Sequence, residues 1–187
     1  MTLADGQLAC FEFGSARELE LFSSGLSEDR WHQMLGPIHR VIWPIGAHAP
    51  GRDWREAFNV RPVEATLPGD GAFHLSEQET EALDAAAGEA FLRLTAHDLR
   101  ETLPALRGEP DEVLMARLRV IQQSALDLGF RLETHIQRYM ELRLTYPDEA
   151  FAADQPAGAV LGRTEWAPRQ RLVEAEPLLK QHAVSTP

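Results

Sequence analysis

The chain has 187 residues, 44% of them apolar and 25% charged, which excludes full-length disorder and suits one domain or one domain with an appendage. Its 29 acidic residues outnumber 18 Lys and Arg, for a net charge of −11, a balance that repels nucleic-acid backbones and anionic membranes as partners. The single cysteine, Cys10, excludes an internal disulfide and a Cys-rich zinc site.

No basic, apolar leader is visible at Met1–Asp5, and the uncharged stretch between Arg40 and Arg52 holds two prolines and is too short for the roughly 20 residues of a bilayer crossing. The expected setting is a reducing cytoplasm. Leu8–Phe13 reads as a short strand or the lead into a helix, and Arg17–Phe22 has no clean period. Ser27 followed by Glu28 and Asp29 marks a helix start that carries Trp31, Met34 and Leu35 and ends at Gly36-Pro37. From Gly36 to Leu75 there are five prolines and five glycines, which predicts an irregular but packed arm. Within it, Val41-Ile42-Trp43-Pro44-Ile45 is expected to be an edge strand or extended segment because of Pro44. Asp53–Phe58 is expected to form one or two helical turns, and Pro68-Gly69-Asp70-Gly71 a turn.

Past residue 75 the period becomes helical. Ser76 and Glu79 form a capping box, followed by Leu83, Ala87, Ala90, Phe91 and Leu94 up to Pro104, with Gly88 marking either close helix packing or nothing. Pro110 opens a second helix with a Leu114, Leu118, Ile121, Ala125, Leu128 stripe, closed by Gly129. A third carries Leu132, Ile136, Tyr139, Met140 and Leu144 and stops before Pro147. Pro156, Pro168 and Pro177 predict short helices in the tail, with residues 183–187 frayed. The predicted fold is mainly α: an antiparallel helical bundle over 76–182, preceded by an irregular Pro/Gly-rich arm over 1–75 that holds short helices or strands.

No Gly-rich phosphate loop, H-E-x-x-H or G-x-S-x-G motif occurs. The seven histidines are scattered, and His97-Asp98 point about 100° apart on a helix. Glu77, Glu81 and Asp84 share a helical face, as a solvated face does. We therefore expect no catalytic residues, no metal and no cofactor. A metal enzyme using His32, His39 or His97 is the outlying alternative. The distinctive cluster is aromatic: Trp31, Trp43, Trp54 and Phe58, with Ile42 and Ile45 among them. Such residues either cover the open side of the helices or form a partner-binding groove.

The run Gly129-Phe130-Arg131-Leu132-Glu133-Thr134-His135-Ile136-Gln137-Arg138-Tyr139 is a glycine turn that opens a helix with an apolar–x–x–Tyr pattern. It is followed by Tyr146-Pro147-Asp148-Glu149-Ala150-Phe151 and preceded by Leu99-Arg100-Glu101-Thr102-Leu103-Pro104. In these features the chain resembles the helical C-terminal portion of bacterial type VI secretion adaptors, the effector-loading chaperones of the VgrG spike. The family's N-terminal α/β lobe is not evident. The resemblance implies a shortened, non-enzymatic relative, a co-chaperone that binds a secreted effector, a full adaptor or a VgrG/PAAR component. The alternative is an acidic helical immunity protein that neutralises a toxin.

Overall fold

The computed structural model describes residues 15–44, 54–60 and 73–185. Among them are seven α-helices and a two-stranded antiparallel sheet, so the chain is mainly helical. It separates into two compact units, Met1–Ala90 and Phe91–Pro187. The change of pattern near residue 75 marks the start of a long helix; the units divide inside that helix.

In the first unit, α1 (Ala16–Gly25) opens at Ser15, whose hydroxyl accepts from the Glu18 N–H at 3.3 Å. Its buried residues are only Leu19 and Phe22, too few to show a period in the sequence. Helix α2 (Glu28–Leu35) opens at Ser27 as predicted and stops at Gly36, whose φ of 55° is open to a residue without Cβ. Strand β1 (Arg40–Pro44) pairs with β2 (Trp54–Phe58). The helical turns expected from Asp53 to Phe58 are thus corrected over Trp54–Phe58; Asp53 lies outside the described residues. Arg55, Glu56 and Ala57 are adequate helix formers, but so short a helix is not self-supporting. Pairing with β1 instead sets Ala57 beside Val41 against the core. Pro44 ends β1 on an edge, where a missing N–H costs least.

The core of this unit joins Leu19, Phe22, Trp31, Leu35, Trp43, Phe73, Leu75 and Leu83. Buried Asn59 ties the end of β2 to the end of α2, donating from Nδ2 to the Gly36 carbonyl at 2.8 Å and the His32 carbonyl at 3.3 Å. Helix α3 (Glu77–Thr102) starts with the predicted capping box: the Glu79 N–H donates to Ser76 Oγ at 3.2 Å, and the Ser76 N–H to Glu79 Oε2 at 2.8 Å. The same Glu79 carboxylate receives the Arg30 guanidinium, which also lies over the Phe73 ring at 4.3 Å. Cys10, Leu8–Phe13, Ile45 and the Pro68–Gly71 turn lie outside the described residues.

In the second unit the end of α3 is joined by α4 (Asp111–Asp127), α5 (Glu133–Thr145), α6 (Pro156–Leu161) and α7 (Pro168–Ser185). Leu114, Leu118, Ile121 and Ala125 are buried as the stripe predicts. Helix α4 ends in a Schellman turn. Gly129, at φ 82°, donates to the Leu126 carbonyl, and Phe130 donates to the Ala125 carbonyl and is itself fully buried. Leu132, expected on the α5 stripe, is 61% exposed because it is the cap that precedes the helix.

Two features of the tail depart from the sequence pattern. Helix α7 runs through Pro177, although short helices were expected there. Pro177 and Val173, four residues before it, are both exposed, so water reaches the carbonyl that loses its donor, while Leu172, Ala175 and Leu179 hold the opposite face in the core. Arg171 is 2% exposed and its Nη1 donates to the Leu128 and Leu161 carbonyls, both at 2.8 Å. It thereby satisfies the C-terminal ends of α4 and α6 with one cation. Burial pushes its guanidinium below its ordinary value.

A candidate protein-contact surface on the hairpin

The register of β1 and β2 sorts the aromatic cluster into two faces. Val41 stands opposite Ala57 and Trp43 opposite Arg55, while Arg40, Ile42 and Pro44 stand opposite Phe58, Glu56 and Trp54. Side chains alternate along a strand, so the first four residues share the inner face and the other six the outer face. Trp43 is 2% exposed and packs edge-on to Trp31, with ring centroids 6.3 Å apart. Its indole N–H donates to Glu20 Oε2 at 2.9 Å, and Arg55 donates to Oε1 of the same carboxylate at 2.6 Å.

The outer face is the reverse in character. Ile42 is 46% exposed, Phe58 56% and Trp54 62%. Polar relief comes from Arg40, which pairs with Glu56 and holds its guanidinium 5.6 Å from the Phe58 ring centroid. Apolar side chains of this size gain about 1.5–3 kcal/mol each on full burial, and here that gain is only partly realised.

The predicted contact set therefore divides. Ile42, Trp54 and Phe58 are brought together on one exposed face. Trp31 and Trp43 are corrected to core residues, because the inner face of the hairpin closes over α1 and α2. Ile45 lies outside the described residues. Sequence reasoning missed Glu20, Arg40 and Pro44. A period-two reading of both runs, aligned so that Trp43 and Ala57 face the same way, is the signal that separates the faces.

The polar cleft of the second unit pairs its own side chains. A cleft of about 240 Å³ in the second unit is lined by Asp98, Thr102, Gln137, Arg138 and Glu141, among others. There Gln137 donates to Asp98 at 3.2 Å, and Arg138 bridges Glu141 and Glu176 at 2.5 and 2.6 Å. Lys180 adds a bond to Glu176 at 2.8 Å, and Lys180 and then Arg138 hold the Glu176 carboxyl below its usual range. His97 is exposed and apart from this cleft's lining. Glu77, Glu81 and Asp84 are exposed. Among the described residues no group of His, Cys, Asp and Glu is arranged to hold a metal ion, and no helix is long and apolar enough to cross a membrane. No protein-family model, curated protein sequence or solved structure matches the chain.

Proposed function

We propose that this protein is a non-enzymatic adaptor or co-chaperone that binds a type VI secretion effector, or that effector's full adaptor, in the cytoplasm and assists loading onto the VgrG/PAAR spike. The observation that carries the binding role is the outer hairpin face, where Ile42, Trp54 and Phe58 stand exposed together on a ribbon whose other face is fixed in a core. The secretion assignment rests on the resemblance over Gly129–Tyr139 and Tyr146–Phe151. The Gly129 turn, α5 and the Asp148–Phe151 turn lie at those positions.

Mechanistically, the inner face supplies rigidity and the outer face supplies contact. Aromatic anchors held by a preordered backbone lose little entropy on binding, and the acidic remainder of the surface favours a basic partner and repels acidic ones. The test is co-purification with a VgrG-linked effector or adaptor encoded beside the gene. The Trp54→Ser/Phe58→Ser double variant is expected to lose that partner while keeping its helical circular dichroism. Undiminished co-purification would remove the hairpin face from the function.

A further inference from the structure

The hairpin offers a partner a backbone edge as well as a face. The Asn59 N–H donates to the His39 carbonyl at 2.9 Å, and these two residues stand opposite each other one step beyond the Arg40–Phe58 pair. In an antiparallel ladder, bonded and non-bonded pairs alternate. Val41–Ala57 and Trp43–Arg55 are then bonded pairs, and the N–H and C=O groups of Trp54, Glu56 and Phe58 point away from β1. No backbone hydrogen bond among the described residues engages them. The corresponding row on β1 belongs to Arg40, Ile42 and Pro44, and Pro44 has no N–H to offer. The edge of β2 is therefore the one with a full set of donors and acceptors.

The geometry points to β-strand addition: the β2 edge accepts an extended segment of a partner polypeptide with the pattern apolar–x–Lys/Arg–x–apolar. This deepens the binding role proposed above and rests on it. The residues that would bond the incoming strand are the same ones whose side chains form the outer face. A third strand therefore sets its residues opposite Trp54, Glu56 and Phe58 onto that apolar face, with backbone bonds for affinity and alternate side chains for selection. Glu56 lies at the centre between the two aromatic residues, so the matching central residue is a cation that joins Arg40 on its carboxylate. Charge also argues against a second copy. Two β2 edges paired antiparallel about their centres would oppose Glu56 to Glu56, and like charges directly opposite are destabilising.

The probe is an end-blocked peptide containing Ile-Thr-Lys-Thr-Ile, titrated into the full chain to millimolar concentration and followed by amide exchange; Ile-Thr-Glu-Thr-Ile is the control. Exchange at the Trp54, Glu56 and Phe58 amides is expected to slow about tenfold or more with the Lys peptide, with no slowing from the Glu peptide. Glu56→Pro removes one outward N–H from an edge where proline is tolerated, and is expected to abolish the effect; Glu56→Ser, which keeps the N–H, weakens it less. No slowing at these amides, equal slowing by both peptides, or wild-type response in Glu56→Pro would each overturn strand addition. So would concentration-dependent dimerisation lost in Glu56→Pro, which would assign the edge to a second copy. If the cognate partner still co-purifies with Glu56→Pro but not with Trp54→Ser/Phe58→Ser, the binding role stands and only the edge mode fails.

Discussion

Trp43 and Glu20 are joined by an indole N–H that donates to the carboxylate at 2.9 Å, linking the inner face of the hairpin to α1. Arg55 closes on the other oxygen of the same group. Glu20→Ala leaves a buried donor without its acceptor and should cost about 1–3 kcal/mol. The expected observation is a lower midpoint in the denaturant curve followed by tryptophan fluorescence. Glu20→Gln, which keeps an acceptor for Trp43, should recover part of the loss.

Two glycines within helices should respond in opposite directions. A Cβ on Gly158 would overlap the Ala152 carbonyl oxygen and lie 2.6 Å from that of Phe151, both backbone atoms that cannot turn aside. Gly158→Ala should destabilise by about 1–3 kcal/mol through forced displacement of α6. A Cβ on Gly88 meets nothing within 4 Å. Gly88→Ala should therefore stabilise by about 0.5–1 kcal/mol through helix propensity. Thermal melts of the two variants beside the parent check both signs.

Acid should act on Glu79. The Arg30 guanidinium, bonded to this carboxylate, holds its carboxyl at about 2 against an ordinary 4.5, with Ser76 assisting and burial opposing. The unfolded chain binds the proton more readily, so the contribution is complete above about pH 4.5 and is lost as pH falls toward 2. Solvent reaches one side of the pair, which limits the effect to about 1 kcal/mol. Arg30→Gln should reduce this pH dependence, measured as stability at pH 3 relative to pH 6.

Arg171 should tolerate few replacements. Arg171→Met keeps much of the apolar stem but strips the Leu128 and Leu161 carbonyls of their donor, a loss of about 2–4 kcal/mol. Arg171→Lys should recover only part of it, since an ammonium lacks the planar fork that lies 4.5 Å from the Phe130 ring centroid. Denaturant midpoints of the two variants separate charge from shape.

The elements with strong local signals were legible in the sequence. The Ser76–Glu79 capping box, the Leu114–Ala125 stripe and the Gly129 turn each lie within one or two helical turns, and each is formed as read. Three other features depend on residues far away in sequence. Whether Trp54–Phe58 pairs as a strand is decided by Val41 and Trp43. Whether a tryptophan is core or surface is decided by register, and neighbouring residues take opposite faces: Trp54 stands on the outer face, whereas Arg55, also exposed, reaches Glu20 on the inner one. Pro177 reads as a break because the solvated side of α7 is not visible in a local pattern. The two faces of the hairpin divide buried Trp43 from exposed Ile42, Trp54 and Phe58, a division that no local pattern carries.

The two carbonyls served by Arg171 belong to residues made 43 and 10 positions earlier in the chain. During synthesis, the end of α4 therefore emerges from the ribosome well before the cation that serves it, and the end of α6 only shortly before. Until α7 has followed, the nascent second unit carries bare helix termini and an open apolar side, the kind of surface that chaperones retain. Docking of α7 thus closes the core of the second unit and completes two earlier helix ends in a single step.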